Sequence, residues 1–258
     1  MSTIAITGAA GGMGVATRTV LEAAGHRVVG VDVRDAEVIA DVSTIEGRDA
    51  MVAQVTEASG GVLDGLVAAA GIASNGSNEE LVISINYFGA VAALSGLRPL
   101  LAKGVNPSAI AVSSNSTTTQ EGIPLAAVQA CLGDDEPAAR AAAKAAPMCG
   151  YPASKIALAH WVRSHAITSE WIGSGIRLNA IAPGLIATPM TAGGGVEFVL
   201  GLGDTYPVPI RRAGTPDEIA GLLQYLLSPA AGFFVGSVVF MDGGTDAQLR
   251  TRDWPAAR

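Results

Sequence analysis

Short apolar runs alternate with longer amphipathic segments along nearly the whole of this 258-residue chain. The runs are continuous, as in Val28-Val29-Gly30-Val31, whereas a strand with one solvated face would alternate apolar and polar residues. Continuous runs are typical of strands inside a parallel sheet that is covered on both faces. About seven strands are predicted in this way: Thr3–Thr7, Arg27–Asp32, Glu37–Ala40, Leu63–Ala69, Ser108–Ser113, Ile176–Ala182 and Ser237–Met241.

The segments between these runs have helical periodicity. Alternation of strand and helix predicts an α/β fold with a single Rossmann-like, doubly wound parallel sheet flanked by helices. No repeat or polar linker divides the chain, so residues 1–258 are expected to form one domain. The predicted helices cover approximately Gly12–Ala24, Thr44–Ser59, Asn78–Leu101, Tyr151–Gly173 and Pro216–Leu227.

Two segments interrupt this regular alternation. Residues 116–150 contain Asp134-Asp135-Glu136-Pro137 before an alanine-rich run, and an aspartate cap with proline in the first turn predicts a short helix. Residues 188–212 contain Gly193-Gly194-Gly195 followed by apolar side chains within a long connection. We therefore predict a helical insertion at 116–150 and, at 188–212, a lid over an apolar ligand.

Charge and residue counts exclude several classes of protein. The chain has 16 Lys and Arg against 23 Asp and Glu, a net charge of −7, which argues against binding to nucleic acid or an anionic membrane. Two separated cysteines and three scattered histidines predict neither a disulfide nor a metal site. The start of the chain, Met1–Gly8, lacks the basic stretch of a signal peptide, so a cytoplasmic location is expected.

A glycine-rich turn, Thr7–Gly14, connects the first predicted strand to the first predicted helix. Glycines permit a tight turn and close backbone approach, and the N-terminus of the helix offers N–H groups to a pyrophosphate. Such a string alone also fits a plain strand–helix turn, but its position favours a dinucleotide. The candidate contacts are Gly8, Ala10, Gly11, Gly12 and Met13.

An acidic residue, Asp32, ends the second predicted strand. A carboxylate at this place accepts hydrogen bonds from the ribose hydroxyls and repels a 2′-phosphate. A solvated loop aspartate is the alternative interpretation, and Arg34 nearby would suit a phosphate. Because Asp32 has the better position, the predicted cofactor is NAD(H).

Tyr151 and Lys155 lie one helical turn apart in Tyr151-Pro152-Ala153-Ser154-Lys155. Pro152 suits a first helical turn, which would place Tyr151 near the positive end of the helix. The ammonium group and the helix end both favour the phenolate, so the pKa of Tyr151 is expected to be lowered for acid/base catalysis. Taken alone, the pair is more often a surface tyrosine and a solvated lysine.

Three other features support a catalytic role for this pair. Ser114 follows a predicted strand at the carboxyl edge of the sheet, where a hydroxyl can hold a substrate oxygen. Asn86 interrupts an apolar helical pattern, either as a structural hydrogen-bonding residue or as the anchor of a relay water. Pro183-Gly184 ends another strand on the same edge, where it is expected to meet a nicotinamide.

In this order the motifs resemble those of the short-chain dehydrogenase/reductase family, over essentially the entire chain. The resemblance implies that Ser114 positions the carbonyl or alcohol oxygen and that Tyr151 exchanges its proton. It also implies that Lys155 lowers the pKa of the tyrosine and binds the nicotinamide ribose, while Asn86 anchors the relay water. The matching motifs are Thr7–Gly14, Asp32, Asn86, Ser114, Tyr151–Lys155, Asn179–Gly184 and Asp242-Gly243-Gly244.

The resemblance assigns further contacts and shows one departure. Where many members have N-N-A-G, this chain has Ala68-Ala69-Ala70-Gly71, so a stabilising hydrogen bond is expected to be missing. The substrate contacts implied are Ser114, Tyr151 and Met190. The additional cofactor contacts implied are Asp41, Val42, Ala70, Gly71, Tyr151, Lys155, Pro183, Gly184, Ile186 and Thr188.

A narrower resemblance, to the bacterial 3α-hydroxysteroid dehydrogenase/carbonyl reductase subgroup, lies in Val20–His26, Asp35–Asp41, Ile85–Ala90 and the long insertion. It implies interconversion of a secondary alcohol and a ketone on a small apolar substrate, in a homodimer or homotetramer. The insertion then forms a dimer contact, or else a simple flap. The other hypotheses are a short-chain reductase for a 3-oxoacyl thioester, alicyclic ketone or polyol, and a non-catalytic NAD-binding scaffold.

Overall fold

The computed structural model describes residues 1–192 and 194–253, and its centre is a seven-stranded parallel sheet. The strand order β3-β2-β1-β4-β5-β6-β7 reverses direction between β1 and β4. In doubly wound sheets ligands bind at such a reversal, beyond the carboxyl ends of the strands. The strands are β1 (Thr3–Thr7), β2 (Arg27–Asp32), β3 (Val38–Ile39), β4 (Gly65–Ala68), β5 (Ser108–Val112), β6 (Arg177–Pro183) and β7 (Val238–Met241).

Helices cover both faces of this sheet. One apolar core lies between the sheet and α1 with α10, and a second lies on the opposite face beneath α2, α4 and α8. The predicted fold class is therefore confirmed. The helices are α1 (Gly12–Ala23), α2 (Ile45–Ser59), α3 (Glu79–Ile83), α4 (Ala90–Leu101), α5 (Ser116–Thr119), α6 (Leu125–Leu132), α7 (Glu136–Lys144), α8 (Gly150–His165), α9 (Gly195–Gly201), α10 (Pro216–Leu227) and α11 (Thr245–Leu249).

Two predicted helices differ from those observed. The helix predicted over Tyr151–Gly173 ends at His165, where the Thr168 hydroxyl donates to the His165 carbonyl and the chain turns into a 3₁₀ segment at Ile172–Ser174. Such local hydrogen bonds compete with helix continuation. The helix predicted over Asn78–Leu101 is instead α3 and α4, joined by a π-helical turn at Ser84–Gly89.

The combined helical run Glu79–Leu101 is long and apolar enough, by length and composition, to cross a membrane. However, 61% of its most apolar window is buried inside the fold. Val82, Ile83, Leu94 and Leu97 are each fully buried. Burial against the sheet accounts for the apolar composition, as expected for a helix of the protein core.

The insertion at 116–150 contains three short helices, α5 to α7, where one was predicted. Asp135 caps α7 as expected, its Oδ1 accepting from the Ala138 N–H at 2.9 Å. Arg48 of α2 forms a salt bridge with Glu136 of α7 at 2.6 Å, which connects the insertion to α2. The side chains that the insertion buries against α3 and α8 are Ala127, Val128, Cys131, Ala139 and Ala143. It is therefore part of the core layer of its own chain, not a loose flap.

Candidate active site

A cleft of about 390 Å³ opens at the carboxyl edge of the sheet, above the reversal of strand order. A larger groove of about 680 Å³ lies near the amino ends of the strands and contains none of the predicted site residues. Most of the predicted cofactor contacts line the smaller cleft, so we place the candidate site there. They are Gly8, Ala10, Gly11, Gly12, Met13, Asp32, Asp41, Val42, Ala70, Gly71 and Thr188, together with the predicted substrate contact Met190.

Where the glycine turn lines the cleft, it presents backbone atoms without large side chains. Gly8 has a φ of +74°, and a Cβ there would lie 2.8 Å from the Ala70 nitrogen. A Cβ at Gly14 would lie 2.1 Å from the Gly8 carbonyl oxygen. Only glycine permits this packing, which leaves the N-terminus of α1 open to the cleft. Backbone N–H groups at such a helix end fit the pyrophosphate of a dinucleotide.

Asp32 is fixed at the end of β2, on the wall of the cleft. Its Oδ2 accepts from the Ala10 N–H at 3.0 Å, and its Oδ1 accepts from the Val33 N–H at 2.8 Å. Arg34 also lines the cleft, but its side chain is 81% exposed and lies 4.0 Å from Asp35. The carboxylate is therefore the better ordered of the two groups and fits a ribose with free hydroxyls.

Thr7 forms hydrogen bonds with the segment Ala68-Ala69-Ala70-Gly71, in which the family's asparagine is replaced. The Ala69 and Ala70 N–H groups both approach the Thr7 Oγ1 at 3.2 Å. This hydroxyl therefore joins the ends of β1 and β4 at the cleft.

The structure brings Ser114, Tyr151 and Lys155 together at the same edge of the sheet. Tyr151 lies in the first turn of α8, and the Lys155 Nζ is 5.6 Å from the centre of its ring. Ser114 lies close enough to the Tyr151 phenol to lower the pKa of that phenol, and its Oγ accepts from the Ser116 N–H at 3.1 Å. The Lys155 ammonium also donates to the Val112 carbonyl at 2.7 Å. A phenol, a hydroxyl and an ammonium group thus lie together at one edge of the sheet, and this is the set that proton exchange with a substrate oxygen requires.

The pKa of Tyr151 does not shift as expected from the sequence. Burial raises this pKa above its ordinary value, and the nearby Ser114 hydroxyl offsets part of the rise. Burial also lowers the pKa of Lys155 to about 8. The positive charge of Lys155 and the helix end favour the phenolate, but the loss of water around Tyr151 and Lys155 disfavours the charged form of each group. At neutral pH Tyr151 is therefore protonated and able to donate.

Asn86 acts as a structural hydrogen-bonding residue through its side chain. Its Oδ1 accepts from the Ile72 N–H at 2.8 Å, and its Nδ2 donates to the Ile72 carbonyl at 3.0 Å. A Cβ at Gly71 would lie 3.2 Å from the Asn86 Oδ1 and 3.6 Å from the Lys155 Nζ. Asn86 therefore holds the loop after β4 against Lys155, and the relay water stays a prediction.

Besides Tyr151 and Lys155, three predicted cofactor contacts lie at this edge without lining the cleft. The Pro183 carbonyl accepts from the Asn115 N–H at 2.9 Å, and the Gly184 N–H donates to the Met241 carbonyl at 3.1 Å. The Ile186 side chain is buried in the apolar core beside α10. A contact between Ile186 and a cofactor would therefore have to use its backbone.

A buried carboxylate that the sequence prediction missed fixes the start of α8. Glu79 accepts from the Gly150 N–H at 2.8 Å, the Met148 N–H at 3.1 Å and the Ser74 hydroxyl at 2.8 Å. The same Ser74 oxygen accepts from the Tyr151 N–H at 3.1 Å. Glu79 lies far from Tyr151 along the chain, and no local pattern distinguishes it from the half-buried Glu80 beside it.

The predicted lid segment, 188–212, has an exposed centre. Its central helix α9 buries no side chain, and Phe198 on that helix is 69% exposed. Gly193 of the predicted glycine run lies outside the described residues. Near the end of the lid, the Tyr206 phenol donates to the Asn115 Oδ1 at 2.9 Å, a contact that the sequence prediction also missed.

This combination of fold and site defines a class of protein. A glycine turn at the reversal point of a doubly wound sheet fits a dinucleotide, and a Ser-Tyr-Lys set on the same edge can exchange a proton with an alcohol or carbonyl. Together they indicate an oxidoreductase that uses a dinucleotide. Sequence comparison agrees: a model described as "Enoyl-(Acyl carrier protein) reductase" matches residues 138–246, and one for the "NAD dependent epimerase/dehydratase family" matches residues 4–184.

Individual relatives identify the family. The chain is 41% identical to the 3α-hydroxysteroid dehydrogenase/carbonyl reductase of Comamonas testosteroni, over 97% of this chain and 98% of the relative. It is 31% identical to the cis-4-hydroxycyclohexanecarboxylate dehydrogenase of Sinomonas cyclohexanicum, over 94% and 95%. The 3α-hydroxysteroid dehydrogenase of Pseudomonas sp. B-0831, solved with NADH, is 39% identical and superimposes with a TM-score of 0.89, covering 97% and 99%. The protein belongs to the short-chain dehydrogenase/reductase family, as the motifs predicted.

Proposed function

We propose that this protein is an NAD(H)-dependent oxidoreductase that interconverts a secondary alcohol and a ketone on an apolar substrate, as a 3α-hydroxysteroid dehydrogenase/carbonyl reductase. The observation that carries the proposal is the convergence of Ser114, Tyr151 and Lys155 beside the dinucleotide cleft. A scaffold protein would have no need for this set. The named relatives that cover nearly the whole chain support the reaction, and the relative solved with NADH supports the cofactor.

The residues divide the chemistry between them. In the direction of ketone reduction, Tyr151 donates its phenolic proton to the carbonyl oxygen, and Ser114 holds that oxygen by a hydrogen bond. Lys155 stabilises the phenolate that remains, and its fixed bond to Val112 keeps the ammonium beside the ring. The glycine turn and Asp32 would hold the NAD(H), which when bound supplies or accepts the hydride. In the direction of alcohol oxidation, Tyr151 takes the proton back.

Exposed apolar side chains within the lid segment support the proposal of an apolar substrate. Met190, at the start of the lid, lines the cleft and is 50% exposed. Phe198 on α9 is more exposed still. Large apolar side chains that stay in water are stabilised when an apolar ligand covers them. A steroid or an alicyclic ketone has the surface to do so.

The proposal includes assembly as a homodimer or homotetramer in the cytoplasm. β7 is an edge strand, and Val238–Met241 are only half-buried. Phe233, just before this strand, is fully exposed. An edge strand with apolar neighbours is a surface that association would cover. The insertion buries part of its apolar surface in its own chain but leaves Leu125, Leu132 and Met148 exposed, so it offers a second surface for association. Light scattering of the purified protein tests the assembly.

A steady-state panel tests the proposed activity. Steroid ketones, small cyclic ketones, a 3-oxoacyl thioester and a ketose are each assayed with NADH and NADPH side by side. We expect NADH oxidation with the cyclic ketones or steroids and a clear preference over NADPH. Turnover confined to the thioester or the ketose would move the protein to another branch of the family. Binding of NADH without oxidation by any ketone would support the scaffold hypothesis instead.

A further inference from the structure

The lid segment is tied to the rest of the molecule at its two ends. At its start, the Thr191 hydroxyl donates to the Ile186 carbonyl at 2.7 Å and accepts from the Thr188 N–H at 3.0 Å. At its far end, the Tyr206 phenol donates to the Asn115 Oδ1 at 2.9 Å. α9 between them buries no side chain, so the lid is attached mainly at its ends. At the far end the Ile210 N–H also donates to the Gly243 carbonyl at 3.2 Å, and Arg212 forms a salt bridge with Glu218 at 2.7 Å.

The acceptor for Tyr206 is part of the catalytic edge itself. Asn115 directly follows Ser114, is buried, and donates its N–H to the Pro183 carbonyl at the end of β6 at 2.9 Å. Its Nδ2 faces the Asp242 Oδ2 at 3.4 Å. The opposite amide orientation would place two oxygen atoms against each other, so the Asn115 Oδ1 is left to face Tyr206.

Asp242 in turn is held in place by backbone donors. Its Oδ1 accepts from the Gly244 N–H at 3.0 Å, and its Oδ2 accepts from the Asp246 N–H at 2.6 Å. The carboxylate, the Asn115 amide and the Tyr206 phenol therefore form one chain of hydrogen bonds. This chain runs from the end of β7 to the far end of the lid and passes beside Ser114.

The Tyr206 phenol also lies close to the reacting group. Burial and the nearby charge of Asp242 raise the pKa of Tyr206, and Tyr151 is close enough to contribute in the same direction. The phenol of Tyr206 therefore stays protonated and remains a donor to Asn115. Neither Tyr206 nor Asn115 lines the dinucleotide cleft.

We infer that Tyr206 is a positioning residue that closes the far end of the lid over the substrate, through its hydrogen bond to Asn115 beside Ser114. This contact acts on the affinity for the ketone and not on that for the dinucleotide. The inference rests on the proposed function, because it assigns the ketone to the space between the lid and the catalytic edge.

Kinetics of Tyr206→Phe test this inference, since the variant retains the ring and removes only the donor. We expect the KM for a ketone that the wild type reduces to rise about twofold to tenfold, the equivalent of one net hydrogen bond. The kcat should change by less than about twofold, and the Kd for NADH, from fluorescence, should not change. Tyr225→Phe is the matched control, because that phenol is exposed on α10, far from the lid. An unchanged KM in Tyr206→Phe would overturn the inference.

A double-mutant cycle separates the hydrogen bond from a general effect of either side chain. Asn115→Ala removes the acceptor, so adding Tyr206→Phe to it should raise the KM no further. Additive effects would show that Tyr206 does not act through Asn115.

Hydrogen exchange gives a measurement that does not depend on turnover. Amides of residues 203–210 should exchange faster in Tyr206→Phe than in the wild type or in Tyr225→Phe. If the wild type reduces no ketone but this difference appears, the proposed function fails while the contact between lid and edge stands. Equal exchange in all three proteins would show that the hydrogen bond does not hold the lid.

Discussion

Two regions that meet at the active site are built in different ways. The catalytic floor consists of the glycine turn, Asp32, Asn86, Ser114, Tyr151 and Lys155. Most of these residues lie at strand ends or in the first turns of helices, and Asn86 lies in the π-helical turn Ser84–Gly89. The polar side chains of the floor have fixed partners, such as Ile72 for Asn86 and Val112 for Lys155. The lid, residues 188–212, has an exposed helix at its centre and contacts the fold mainly at its ends.

Because the catalytic floor and the lid are built differently, they suit two different tasks. Proton exchange needs groups held within a fraction of an ångström, and the floor supplies this by burial and hydrogen bonds. Selection of an apolar substrate needs a surface that opens and closes, and few buried contacts make opening inexpensive in free energy. Substitutions in the floor should therefore alter catalysis or cofactor choice strongly, whereas those in the lid should alter substrate affinity modestly.

The largest effect is expected at Tyr151. Tyr151→Phe removes the proton donor and keeps the ring, so ketone reduction should fall by about 10²- to 10⁴-fold. Binding of NADH, measured by fluorescence, should remain near that of the wild type because Tyr151 does not line the dinucleotide cleft. Undiminished turnover would remove Tyr151 from its assigned role and erase the distinction between floor and lid.

The second largest effect is expected at Asp32, on the preference for NADH over NADPH. Asp32→Ala removes a carboxylate that repels a 2′-phosphate and accepts from ribose hydroxyls, so the preference for NADH over NADPH should fall about 10- to 100-fold. Asp35→Ala is the control, since its side chain is 83% exposed. The ratio of kcat/KM for the two cofactors is the measurement. If both substitutions change this ratio equally, Asp32 makes no specific contact with the ribose of the cofactor.

The floor was largely predictable from the sequence because its contacts are carried by local patterns. A glycine turn after a strand, an acid at the end of the next strand and a Tyr-Lys pair one helical turn apart each occupy adjacent positions in the chain. The parallel sheet then brings the strand ends to one edge. The apolar runs likewise predicted the strands of the sheet and helices α1, α2 and α10 to within a few residues, whereas the helices predicted over Tyr151–Gly173 and Asn78–Leu101 differ from those observed.

What the sequence did not predict depends on pairs that are distant along the chain. Tyr206 with Asn115, and Glu79 with Gly150, meet only in the folded protein. The direction of the Tyr151 pKa shift also depends on burial, which a one-turn spacing does not reveal. The three-helix form of the insertion was missed for a related reason, since α6 is stabilised by packing on α8 and has no strong cap.

Burial of the Lys155 ammonium should lower the free energy of unfolding of the protein, by an amount that depends on pH. Burial lowers the pKa of Lys155 to about 8 in the fold, against 10.5 for the free side chain. Below pH 8 the folded protein bears the full cost of a buried ammonium, and this cost disappears as the pH rises towards 10.5. The wild type should therefore gain about 2 kcal/mol of unfolding free energy relative to Lys155→Met between pH 7 and about 9.5.

Chemical denaturation of both proteins across this pH range, without added cofactor, measures that difference. Comparison with Lys155→Met cancels the titration of all other groups. If the difference in unfolding free energy between the two proteins stays constant with pH, the Lys155 ammonium is solvated. The catalytic floor would then be less buried than its contacts indicate. The lid has no counterpart to this experiment, since α9 carries no buried charge.

The smallest effect is expected in the lid, at Phe198. Phe198→Ser removes an apolar ring that is mostly exposed, so the free energy of unfolding should change by less than about 0.5 kcal/mol. The KM for an apolar ketone should still rise about threefold to tenfold, because the ring would lose its contact with the bound substrate. Val105→Ser is the control, since this side chain is similarly exposed but lies near the amino ends of the strands. If both substitutions leave the KM unchanged, the exposed apolar surface of α9 does not face the substrate, and selectivity must then come from the floor.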